Sequence, residues 1–127
     1  MALLFDRVKV ATATTGTGTI TLGSAVRSSS VGDFLTFDEI GVPDGSLVAY
    51  FIQDGANWAS GEGVYTASGT TLSRDVNEKR WNGSAYSTAA LSLSGSAVVY
   101  IGVRSADLAE KTDMGLSLQL QNGMVLV

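Results

Sequence analysis

The sequence predicts an all-β fold: an antiparallel β-sandwich or barrel with a C-terminal β-hairpin arm. Three observations predict it. Apolar residues recur in short alternating runs, turn signals interrupt them about every eight to twelve residues, and helical periodicity is never sustained. A single proline in 127 residues agrees, because each proline removes a donor from a strand ladder.

Val8-Lys-Val10 opens the first strand. Thr17, Thr19 and Thr21 then alternate with Gly18, Ile20 and Leu22, which puts β-branched and apolar side chains on opposite faces. Ser28 to Gly32 reads as a loop, and Phe34-Leu-Thr-Phe37 as a short apolar patch. Pro43-Asp44-Gly45 is a turn, with proline presetting φ and glycine supplying the left-handed position. Ser46 to Gln53 is apolar on both faces, as in a central strand. Asp54-Gly55 starts a hairpin whose return carries Trp58, and Trp58 and Tyr65 are expected in the core. Gly63 to Ala67 and Thr70 to Arg74 form a second hairpin through Ser68-Gly69. Asp75 to Arg80 is charge-dense and reads as an exposed loop tip before Asn82-Gly83. Ala90 to Leu93 and Ser96 to Val103 supply the last core strands.

Beyond them, Ala106 to Lys111 is the one place a helical turn is expected. Leu116, Leu118 and Leu120 alternate with Ser117, Gln119 and Gln121, and Asn122-Gly123 turns into Met124 to Val127. The chain therefore divides into a β-domain over 1–105 and an arm over 106–127. Two readings of the arm stay open. It closes its own sheet, or it projects and pairs with a neighbouring subunit, as exposed strand edges invite.

Composition narrows the chemistry. Apolar residues make up 45% and charged residues 16%, against a usual charged share of about a quarter. Either other protein covers much of the surface, or serine and threonine dress it. With no cysteine and no histidine, thiol nucleophiles, disulfides, zinc–thiolate sites and the commonest general base are all excluded. Lys9, Lys79 and Lys111 stand in no serine–lysine spacing. Asp33, Asp44 and Asp54 sit where turn chemistry explains them, and Asp38 and Glu39 lack the alternating oxygen ligands of a calcium loop. Gly16-Thr-Gly18 and Gly61-Glu-Gly63 lack the third glycine of a dinucleotide loop. The expectation is a protein that is not an enzyme and takes no cofactor or metal.

Formal net charge is −4 with no basic run beyond Lys79-Arg80, so no nucleic-acid partner is expected. Met1 to Asp6 is not a signal peptide, and no apolar run is long enough to span a bilayer as a helix, so synthesis in the cytoplasm without a membrane partner is expected. Aromatic residues are the remaining binding candidates. Trp58, Trp81, Tyr65 and Tyr86 suit a sugar-stacking platform, while Trp81 beside Arg80 suits a protein interface, where both types are enriched. Leu116, Leu118, Leu120, Met124 and Leu126 in the arm complete that candidate interface.

Three stretches carry a family likeness: Asp6-Arg-Val with Thr14-Thr-Gly-Thr-Gly-Thr-Ile-Thr-Leu-Gly-Ser-Ala-Val26, Asp54-Gly-Ala-Asn-Trp58 with Gly61-Glu-Gly-Val-Tyr-Thr-Ala-Ser-Gly-Thr-Thr-Leu-Ser-Arg74, and Leu91-Ser-Leu-Ser-Gly-Ser-Ala97. Over about residues 6–103 the chain resembles a small β-rich module of tailed-bacteriophage virion structural proteins. The resemblance implies a head decoration or cement protein, a head-fibre base, or a tail-fibre or baseplate attachment adaptor. It implies a homo-oligomer, commonly a trimer, partnered by the major capsid protein or other virion proteins and located in the virion. The chain departs from the module's usual pattern at Arg27-Ser-Ser-Ser30 and at Asn77 to Gly83. A carbohydrate-binding module using Trp81 and Tyr86 is the alternative from another class.

Overall fold

The computed structural model describes residues 3–27 and 32–103. Its strands are β1 (Lys9–Thr12), β2 (Thr15–Gly16), β3 (Ile20–Thr21), β4 (Leu47–Asp54), β5 (Asn57–Thr66), β6 (Thr71–Leu72), β7 (Val76–Trp81), β8 (Tyr86–Ser87), β9 (Leu93–Ser94) and β10 (Ala97–Ile101), with one helical turn, α1 (Phe37–Ile40). The all-β expectation holds. The strand path runs β1-β10-β4-β5-β6-β3, every pairing in it is antiparallel, and β7 and β8 extend the sheet from β5.

The β4–β5 hairpin is the spine. Eight consecutive pairs run from Leu47↔Val64 to Asp54↔Asn57, and Gly55 takes φ 63° in the turn that Asp54-Gly55 announces. On β4, Val48, Tyr50 and Ile52 face inward and are almost wholly buried. The far edge of β5 is shared, with β7 along its first half and β6 at its end. A bulge at Glu78, where two residues of β7 meet one step of β5, sharpens the twist between those segments. The sheet thus curls into a half-barrel. Residues after β3 then reach back to β1: the Ala11 N–H donates to Ser24 O, the Gly23 N–H to Ala11 O and the Val26 N–H to Lys9 O. Inside, Val8, Val10, Ile20, Phe37, Tyr65, Leu72, Leu91 and Val99 close one core, each contributing about 1.5–3 kcal/mol where full burial is reached.

Three expectations need correction. The segment Asp75 to Arg80 is not a loop tip: Val76 to Arg80 form most of β7, because the long free edge of β5 offers them a ladder. Phe34 to Phe37 is not simply an apolar patch, since Phe37 opens α1 with its ring against Tyr65 at 5.3 Å. Thr36-Phe-Asp-Glu39 is a capping box that the strand reading overlooked: the Glu39 N–H donates to Thr36 Oγ1, and the Thr36 N–H donates to the Glu39 carboxylate. Ala106 to Lys111, the 106–127 arm, and with it Leu116, Leu118, Leu120, Met124 and Leu126, lie outside the described residues.

The capping box makes a pH prediction. The Thr36 backbone N–H, foremost, and then the Arg27 guanidinium at 2.9 Å hold the exposed Glu39 carboxyl below its ordinary pKa, with desolvation opposing them in part. A depressed folded-state pKa adds stability that is present above the unfolded value and lost as pH falls through the folded one. A carbon-detected titration is expected to place the Glu39 midpoint below that of a free glutamate. Arg27→Ala should raise the midpoint only partway, because the Thr36 bond remains. A full return to the ordinary value would assign the effect to the arginine alone.

Candidate interaction face

Residues directly opposed in an antiparallel ladder point to the same face, so register alone assembles this surface. Continuous pairing carries one row across the sheet: Ala11↔Val98, Val98↔Gln53, Gln53↔Trp58, Trp58↔Trp81 and Trp81↔Tyr86. A parallel row runs Lys9↔Tyr100, Tyr100↔Phe51, Phe51↔Ser60 and Ser60↔Lys79. Both rows lie on the side away from Val48, Tyr50 and Ile52. Half of the chain's ten aromatic residues therefore sit on the outer face of the sheet.

The rings are ordered by contact with one another. Phe51 and Tyr100 stack at 5.4 Å and 12°. The Lys9 ammonium lies 5.6 Å from the Tyr100 ring and 5.3 Å from Phe34, on which the Arg7 guanidinium also sits at 4.0 Å. Trp58 and Tyr86 meet edge to face at 6.0 Å and 61°, on either side of half-buried Trp81. Trp58 remains 37% exposed and Tyr86 58% exposed. These edge-to-face and stacked contacts fix the rings without covering them.

Here the sequence reading is both met and corrected. Trp81 lies on the outer row, half-buried on β7 rather than in a polar loop, and Tyr65 is buried as expected. Trp58 is not a core residue; its place opposite Gln53 puts it outside, while its neighbour Ala59 takes the inward position. Arg80 does not share a face with Trp81. It pairs with inward-facing Ala59, and its Nη1 donates to the Ala85 carbonyl within the β7–β8 hairpin. The missed signal was parity: Gln53 and Trp58 flank a two-residue turn with Asp54 and Asn57 as the innermost pair, and counting outward gives Trp58 the face opposite Ile52.

A cleft of about 240 Å³ is lined by Arg7, Val8, Lys9, Phe34, Tyr100 and Ile101, and another of about 360 Å³ by Ala13, Thr14, Thr21, Leu22 and Gly23. Neither lining pairs a nucleophile with a base. Among the described residues no three potential metal ligands converge. Asp54 serves the fold: its carboxylate accepts from the Ser94 N–H at 2.8 Å and the Ser94 hydroxyl at 2.6 Å. Asp44 accepts from the Ala67 N–H, which clamps the β5–β6 turn.

No family model, curated protein or solved structure matches the chain. The face must therefore be judged on its own chemistry. It is aromatic and edged by Lys9 and Lys79, and it rides on the outer side of a curled, hydrogen-bonded sheet.

Proposed function

We propose that the chain is a non-enzymatic structural module of a tailed-bacteriophage virion, a capsid decoration, cement or head-fibre component that stabilises the head. The observation that carries this reading is the Trp58–Trp81–Tyr86 row, a rigid patch of the residue types that dominate protein contacts. The likeness of the Asp54–Trp58 and Gly61–Arg74 stretches to the phage module supports the virion setting. Its action is mechanical. Apolar area buried against a neighbour contributes roughly 25 cal/mol per Å² before association costs, and repetition over a symmetric shell multiplies a weak contact. A tail-fibre or baseplate attachment adaptor would use the same face in the same way and is the second reading.

A carbohydrate-binding module using Trp81 and Tyr86 is the competing reading from another class, and the adjoining rings of Trp58 and Tyr86, 61° apart, form no single flat platform beside it. The test pairs two variants with two assays. Trp58→Ala and Tyr86→Ala should each weaken attachment to purified particles, by about 30-fold if the residue is a contact worth about 2 kcal/mol. Neither should matter for soluble glycans, which are expected not to bind. Glycan binding lost in the same variants, with no particle attachment, would overturn the structural reading in favour of a carbohydrate-binding module.

A further inference from the structure

We propose that the Trp58–Trp81–Tyr86 face seats residues 112–127 donated by a neighbouring copy of the chain. The inference rests on the reading of this face as an assembly contact and names its occupant.

The argument begins where the described chain ends. β10 passes the level of the row at Val98, which is opposite Gln53, and runs away from it to Ile101, which is opposite Tyr50. Continuing along β4 would bring it beside Ala49 and Val48. Those positions are taken: the Leu3 N–H donates to Leu47 O, the Ala49 N–H donates to Leu3 O, and Leu3 pairs in parallel with Val48. Leu3 thus fills the edge of β4 next to where β10 ends, and the described chain stops at Val103 with β10 directed away from the row.

What leaves is matched to what is uncovered. Leu116, Leu118 and Leu120 share one parity, so an extended segment presents all three to one side, with Ser117, Gln119 and Gln121 on the other. The size also fits a segment. At 150–250 Å² per aromatic side chain, the exposed parts of Trp58 and Tyr86 offer on the order of 200 Å², well below the roughly 800 Å² per partner of a stable free-standing interface. Charge does not oppose it: Asp113 is the one charged side chain in 112–127, and Lys79 borders the row. Eight residues, 104–111, can span about 26 Å, enough to cross to an adjacent copy. Exchange of one identical segment between copies closes such contacts into a symmetric ring.

The readout is built in, because the chain's two tryptophans, Trp58 and Trp81, both lie in this row. In the full chain at high concentration, emission is expected to be blue-shifted and protected from acrylamide, and light scattering should report an oligomer. Removing residues 112–127 should yield a monomer with red-shifted, readily quenched emission and an unchanged far-ultraviolet spectrum. Leu118→Asp in the full chain should do the same, and a synthetic 112–127 peptide should restore the blue shift to the truncated protein. Unchanged emission on truncation would overturn the proposal. Protection that persists on dilution to monomer would also overturn it, placing the segment on its own sheet. An oligomer that enters particles with no tryptophan response would refute this seat and leave the structural role standing. A full tryptophan response in a protein that never enters particles would refute the role and leave the seat.

Discussion

Gly63→Ala is expected to remove cooperative folding at ordinary temperature or to lower the melting point sharply. Gly63 faces inward on β5 opposite Val48, and the backbone after β6 passes directly over it. A Cβ there would lie deep inside contact with the Ser73 carbonyl oxygen, and 2.9 Å from the carbonyl carbon. That carbonyl has no room to retreat. The Ser73 N–H donates to Val64 O, the Val64 N–H donates to the Ser73 hydroxyl, and that hydroxyl donates to the Asp75 carboxylate at 2.6 Å. Relief requires breaking a strand junction, so the loss should reach the top of the overpacking range, about 3 kcal/mol or more. Against a domain stability of about 5–15 kcal/mol this is large, and it corresponds to a fall of roughly 10–20 °C in Tm. Gly61→Ala should behave similarly, because its Cβ would meet the Val76 carbonyl and sit 2.7 Å from the Tyr50 hydroxyl. Gly18→Ala is the control. Nothing lies within 4 Å and its φ is not positive, so the change should stay within about 0.5 kcal/mol. Thermal melts followed by circular dichroism decide it. Equal melting of Gly63→Ala and Gly18→Ala would mean the two backbones do not approach.

These glycines also mark how far the sequence can be read. Periodicity found the β4–β5 spine, the Gly55 and Ser68-Gly69 turns, the inward Ile20 and Leu22, and the closing strand at 97–101, because each is set by local alternation and turn chemistry. It read Gly61-Glu-Gly63 only as a failed phosphate loop. The close crossing of residues 73–76 is a long-range fact that no local pattern carries. The same limit explains β7: Val76 to Trp81 looks like solvated charge until β5 provides an edge. Of the candidate face, Trp81 was singled out by its polar neighbours, although they form a strand and not the loop that reading assumed. Trp58 was not, since its exposure follows from the register of a hairpin rather than from its own apolarity. Arg80 was paired with Trp81 by adjacency, and strand alternation separates them.

Arg74→Met is the second large effect expected, and it tests how the small β2–β9 sheet is held. That sheet has one rung set, Thr15↔Ser94 and Gly16↔Leu93, and no ladder joins it to the strand path. Arg74, which follows β6, reaches across. Its Nη1 donates to Leu91 O at 2.6 Å and its Nη2 to Gly16 O at 3.0 Å, so one guanidinium grips both arms of the pair. Burial pulls the guanidinium's pKa below its ordinary value, yet arginine stays charged throughout the working range, so the bonds are charge-assisted. Methionine preserves the packing of the stem and deletes both donors, leaving two carbonyls in a partly buried site without them. The expected cost is about 2–4 kcal/mol. Arg74→Lys should recover less than half, because a point ammonium does not span two carbonyls as a planar fork does. The Asp54–Ser94 bonds remain as a second tether, so loss should be local before it is global. Hydrogen exchange should accelerate first at the amides of Gly16 and Leu93, while Ser94, still held by Asp54, and the amides of β4 and β5 keep their protection longer. If β2 and β9 exchange no faster in Arg74→Met than in the native chain, Asp54 alone holds the small sheet and the arginine only fills space.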